Sequence, residues 1–239
     1  MRLICLPGLM CTTAVFGDLA ARVPGTTVLD LPRSASFDAI ADDLARDLPE
    51  DAVLCGLSMG AYLALAIARR VPDKLRGLIL ISGSATADSE EAAEMRAKTV
   101  VWANRKGVDA LAAAQAQALL AHANRDRAEL KDQLLEMARA TGLDTFALHQ
   151  AALAGRPDQH STLAGIPCPT LILTGAEDTV TPPDAARAMA GAIPGARLHL
   201  IPGAGHMPPI EAPETVAGHV SAFLEDLQAT RPATDQVMT

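Results

Sequence analysis

No stretch of this chain has the long uncharged apolar run that a bilayer span requires, and none has the charged-then-apolar form of an export leader. An apolar, strand-like segment begins within the first few residues. A membrane partner is therefore not expected, and the expected location is the cytoplasm. Basic charge is also short: 20 Lys and Arg stand against 28 Asp and Glu, giving a net charge of −8. Such a surface repels phosphate, which argues against nucleic acid as a partner. Cysteine is sparse. Cys5, Cys11, Cys55 and Cys168 do not fall at metal-ligand spacings, and two of them sit in apolar runs, so they read as free thiols used as small core residues. No metal and no cofactor is expected.

What is present suffices for a full core. The chain has 239 residues, 49% of them hydrophobic, within the range of one large α/β domain. Apolar strand-like segments at 2–6, 27–31, 52–57, 75–82, 169–174 and 197–201 alternate with helical stretches at 37–47, 59–70, 183–192 and 213–228. This alternation predicts a parallel sheet covered on both faces, with ligands beyond the carboxyl ends of its strands.

The most informative segment is Gly56-Leu57-Ser58-Met59-Gly60, placed between the apolar run Val53-Leu54-Cys55 and the helix-forming run Ala61 to Ala68. A serine on so sharp a strand-to-helix turn is lifted clear of the sheet, as a hydrolytic nucleophile must be. Only very small residues fit at its flanking positions. The positive end of the following helix points at the place where negative charge would develop, with Met59 supplying a backbone amide.

A serine hydroxyl needs a base, and the base needs a carboxylate to hold its tautomer. Asp178, in the loop leaving the strand Thr170 to Thr174, is the expected acid; Glu177 is its neighbouring rival. His206, in the Gly- and Pro-rich loop after the strand Leu198 to Ile201, is the expected base. His199 and His219 fall inside a strand and a helix and compete poorly. His122, His149 and His160 lie in the middle region, where only substrate contact is open to them. The backbone amide of Leu9, after Pro7-Gly8, is the expected second oxyanion donor. Cys11 lies near this site but has no histidine in a matching loop.

These segments give the chain a resemblance to the α/β-hydrolase superfamily, in particular to capped single-domain bacterial esterases and lactonases. The resemblance rests on Pro7-Gly8-Leu9, Gly56 to Gly60, Gly175-Ala176-Glu177-Asp178 and Gly203-Ala204-Gly205-His206, and it runs through nearly the whole chain. It implies an α/β-hydrolase fold: a mostly parallel sheet with helices on both faces and an inserted helical cap. Two departures stand out. Pro7 occupies the place of the usual oxyanion-loop histidine, and the two extra leading strands of many relatives are missing, which leaves the protection of the sheet edge open.

Residues 1–82 and 167–229 are expected to form the core and 83–166 the cap, with the tail 230–239 disordered. Within the cap, alanine-rich stretches at 88–106, 108–122, 126–140 and 143–154 read as helices. Met10, Trp102 and Met207 are the expected substrate contacts, with Met95, Leu119, Met137 and Phe146 further candidates for the pocket or for packing between cap helices. Arg156 and His160 read first as a solvated hinge and second as contacts for an anionic substrate group. The expected activity is cofactor-free hydrolysis of a small carboxylic ester or lactone. Thioester and carbon–carbon bond hydrolysis use nearly the same parts, and a non-catalytic small-molecule receptor is the alternative outside that class. Ser58 in place of an aspartate argues against haloalkane dehalogenation. The oligomeric state is left open, a homodimer being one option.

Overall fold

Apolar runs too short for helices become strands, and in the computed structural model, which describes residues 1–230, six of them form one sheet. In chain order they are β1 (Arg2–Leu6), β2 (Thr26–Val28), β3 (Ala52–Leu57), β4 (Leu75–Ile81), β5 (Thr170–Gly175) and β6 (Arg197–Ile201). Every pairing is parallel and the spatial order is β2-β1-β3-β4-β5-β6. The inner strands β3 and β5 are buried along their whole length, as strands covered on both faces must be.

The helices are α1 (Gly17–Arg22), α2 (Phe37–Arg46), α3 (Met59–Arg70), α4 (Glu90–Lys106), α5 (Val108–Leu119), α6 (Ala128–Ala154), α7 (His160–Leu163), α8 (Pro183–Ala192), α9 (Pro208–Glu211) and α10 (Pro213–Ala229). One face of the sheet packs on α2, α3 and α8 through Ile40, Leu44, Leu63, Ile67 and Met189. The opposite face packs on α1 and α10 through Leu19, Val220, Phe223 and Leu227. Burial on both sides fixes the sheet, leaving its carboxyl edge as the place where loops can carry chemistry.

The direction in which successive strands are added across the sheet reverses between β1 and β3, the one adjacent pair among the described strands whose connections run opposite ways. At such a switch point the loops part and leave a crevice. The ends of β1 and β3 are flush, Leu6 lying opposite Gly56, so the turn carrying Leu9 and the turn carrying Ser58 emerge side by side.

The β2 edge of the sheet is short, as an edge exposed to pairing needs to be. β2 has three residues, fewer than the expected 27–31. Leu29 N still donates to Cys5 O at 3.0 Å, beyond which the pairing stops, and the Pro32 carbonyl accepts from His149 Nε2 at 2.9 Å.

No strand interrupts 83–166. There α4, α5 and α6 pack around Ala103, Leu111, Ala112, Ala138 and Phe146, and Met10 reaches up from the β1 loop to join them. The two helical stretches expected at 126–140 and 143–154 are both present within α6 and are separated at Gly142, whose φ of 75° and ψ of 161° are not helical. Beyond Thr230 the expectation for the tail lies outside the described residues.

Candidate active site

Ser58 joins β3 to α3 with φ 53° and ψ −113°, a conformation costly for a residue with a side chain. The surroundings over-determine it. Its amide donates to Ile81 O at 2.9 Å, and its carbonyl accepts from Ala61 N at 2.8 Å and Tyr62 N at 3.1 Å. A Cβ on Gly56 would overlap the Gly60 carbonyl, and one on Gly60 would overlap that of Leu6. The turn can close this tightly only because both positions are glycine.

His206 Nε2 lies 2.8 Å from Ser58 Oγ, and its Nδ1 lies 2.9 Å from Asp178 Oδ2. A carboxylate only accepts, so Nδ1 carries the proton and Nε2 is left to accept from the serine hydroxyl. Asp178 and His206 are enclosed, their side chains 0% and 3% exposed. Burial alone would raise the Asp178 carboxyl. The hydrogen bond and charge of His206, with donors from Thr181, outweigh it and hold the group below its ordinary value. Those donors are Thr181 Oγ1 to Oδ2 at 2.8 Å and Thr181 N to Oδ1 at 2.9 Å, with Val180 N adding a third at 2.8 Å. Glu177, the rival acid, faces elsewhere and accepts from His122 N at 3.2 Å.

Three supporting residues escaped the sequence reading. Glu211, buried in α9, accepts from Gly205 N at 2.8 Å and Met207 N at 3.1 Å, the amides on either side of His206. Its other oxygen accepts from Ala121 N at 2.7 Å and Asn124 Nδ2 at 2.8 Å. The loop is thereby tied to the segment after α5, and His206 N donates to Leu119 O at 2.7 Å as well. Thr181 and Asn124 complete the set. Glu211 lies five positions past the histidine, a spacing that carried no signal on its own.

The cavity at Ser58 has a volume of about 100 Å³ and is lined in part by Gly8, Leu9, Tyr62, Leu119, His206 and Met207. A side chain on Gly8 would come within 3.4 Å of Ser58 Cβ, which shows how near the Leu9 turn passes. Met59, at the first position of α3, is fully buried. Of the expected substrate contacts, Met207 and Leu119 line this cavity. Met10 does not, being packed against the α4–α6 cluster. Trp102 and Met95 line a separate apolar groove of about 460 Å³, which shares Gln115 with the cavity.

Cys11 also lines the cavity, but burial pushes its thiol up to about 12, so it stays protonated. His199 and His219 stack on one another at 4.1 Å. His160 pairs with Asp158 at 3.0 Å on the surface. Arg156 is not a solvated hinge: only 8% exposed, it donates to Asp88 Oδ1 at 2.6 Å and to Thr86 O at 3.0 Å. Among the described residues no group of three or more His, Cys, Asp or Glu is placed to hold a metal ion, and no helix is long and apolar enough to cross a membrane.

A hydroxyl, an imidazole and an enclosed carboxylate joined in series at the carboxyl edge of a parallel sheet define a serine-type hydrolase. Residues 3–219 match the alpha/beta hydrolase family, and the chain belongs to it. Over 237 residues it is 28% identical to a pimeloyl-[acyl-carrier protein] methyl ester esterase of Neisseria meningitidis serogroup B, covering 88% of each chain. The Chromobacterium violaceum protein of the same name is 31% identical over 188 residues, 74% of this chain and 71% of that one. Among solved structures, a malate-bound thermophilic esterase from Thermogutta terrifontis superposes with a TM-score of 0.86 at 31% identity, covering 95% of this chain and 90% of that one.

Proposed function

We propose that this hydrolase cleaves a small carboxylic ester or lactone through an acyl-enzyme on Ser58. The observation that carries the reading is the unbroken series from Ser58 Oγ through His206 to Asp178, at 2.8 and 2.9 Å. His206 Nε2 takes the hydroxyl proton as Oγ attacks the carbonyl carbon, and the oxyanion accepts from the amides of Leu9 and Met59. The imidazolium then gives its proton to the leaving alkoxide. Water, deprotonated by the same nitrogen, releases the acid and restores Ser58. Asp178 stays ionised throughout, holding the Nδ1 proton and stabilising the imidazolium.

The esterase names of the relatives support a carboxylic ester as the bond cleaved. In this reading 83–166 acts as a cap on a core of 1–82 and 167–229, since Leu119 and Gln115 of α5 help to wall the cavity. The net charge of −8 supports the exclusion of nucleic acid as a partner, and the cytoplasm is the proposed location. The test is turnover of activated short-chain esters and lactones by the wild type and by Ser58→Ala. The expected result is release of acid by the wild type alone. Equal turnover by both would overturn the assignment.

A further inference from the structure

Arg96, on the inner side of α4, is the one guanidinium among the described residues that lines the Ser58 cavity. Its Nε and Nη2 donate to Asp88 and its Nη1 donates to Gln150 Oε1 at 2.7 Å, which leaves one N–H on each terminal nitrogen uncommitted. Asp88 in turn is shared with the buried Arg156, whose guanidinium stacks over the Tyr62 ring at 4.6 Å. Burial would raise the Asp88 carboxyl, but the two arginines outweigh it and hold it below its ordinary value. One carboxylate thus anchors two cations.

The charges are sorted by depth. The nearby carboxylates sit behind the wall, with side chains 6% exposed at Asp88 and 0% at Asp178, whereas the Arg96 side chain is 23% exposed. Among the described residues no Asp or Glu lines the cavity. Burial raises the Tyr62 phenol, which also lines it, so that group stays neutral. The wall therefore offers a fixed cation with free donors in an otherwise largely apolar space. A guanidinium so held has lost its conformational freedom before any ligand arrives, and its remaining N–H groups suit a planar anion.

We infer that Arg96 is a recognition site for a carboxylate carried by the substrate away from the bond being cleaved, so that the preferred substrates are half-esters or lactones bearing a free acid. The inference rests on the hydrolase reading for its substrate class, but the binding site stands on Arg96 alone.

The experiment compares monomethyl esters of straight-chain dicarboxylic acids, of three to six methylenes, with methyl esters ending in a primary amide at matched length. The wild type is expected to favour the acid over the amide by about tenfold or more in kcat/KM at the best length, as one charge-assisted contact implies. Arg96→Gln should abolish that preference and Arg96→Lys should restore part of it. Calorimetric titration of the same pairs into Ser58→Ala reads the site without turnover, and the acid-terminated ester should bind more tightly there. Equal affinities for the two termini, or a preference unchanged in Arg96→Gln, would overturn the inference even where esters are cleaved. A preference in binding with no ester turned over would uphold the site and sink the hydrolase reading instead. If Arg96→Gln does not fold, the wild-type preference and the Lys variant decide.

Discussion

The carboxylate of Glu211 spans the backbone of His206, accepting from the amides of Gly205 and Met207 with one oxygen and from Ala121 N and Asn124 with the other. Four donors converge on one buried anion, so the histidine loop and the segment after α5 are held by a single side chain. In Glu211→Gln one oxygen becomes an NH₂ facing N–H groups. The expected loss is about 1–3 kcal/mol of stability, together with a fall in kcat larger than any change in KM. Urea unfolding and steady-state kinetics on one ester measure both.

Asp178 and Glu177 are adjacent in sequence, but only Asp178 reaches His206. Asp178→Asn keeps the shape and favours the wrong tautomer, with an expected loss of about 10⁴-fold in kcat. Glu177→Gln should change kcat less than about threefold, since exposed polar substitutions act weakly. Matched kinetics on the two variants separate the assignments.

Because the folded protein holds the Asp178 carboxyl below its ordinary value of 3.8, the carboxylate contributes stability that is present above that value and lost as pH falls through the depressed folded value. The stability difference between wild type and Asp178→Asn should be constant from pH 7 to 5 and shrink below about pH 4. Urea titrations at pH 7, 5, 4 and 3 follow it. A difference that grows on acidification would reverse the sign.

Backbone strain at Ser58 predicts an inversion of the usual order of Ala and Gly. Ser58→Ala and Ser58→Gly both lose the hydroxyl, but only glycine tolerates φ 53° and ψ −113° freely, so Ser58→Gly should be the more stable by about 1 kcal/mol. Gly60→Ala drives a methyl into the Leu6 carbonyl and should cost about 3 kcal/mol or more. Chemical denaturation of the three variants tests both statements.

The parts of this protein legible in its sequence are those where covalent geometry leaves one solution. Gly56 and Gly60 announced a backbone turn that no other residue fits, and the apolar runs announced buried parallel strands. The observed strands keep within two residues of the expected bounds except at β2, which ends at Val28 rather than at residue 31. What the sequence left open depends on helix faces and long-range partners. Helical spacing cannot say which way Trp102 turns, and it faces a groove apart from Ser58. Glu211, Thr181, Asp88 and Arg96 act through partners placed beside them by packing, and nothing in their local sequence marks them. Arg156 looked like a surface hinge because its buried partner, Asp88, lies 68 residues away.

The most direct test is covalent. A fluorophosphonate probe traps a serine only where a base activates its hydroxyl and amides receive the oxyanion, so it reads the whole arrangement at once. Intact mass and peptide mapping should show one adduct, on Ser58, with no labelling of Ser58→Ala and slow labelling of Asp178→Asn. Labelling of Ser58→Ala to the wild-type extent, or a folded wild type that the probe leaves unmodified, would contradict the account.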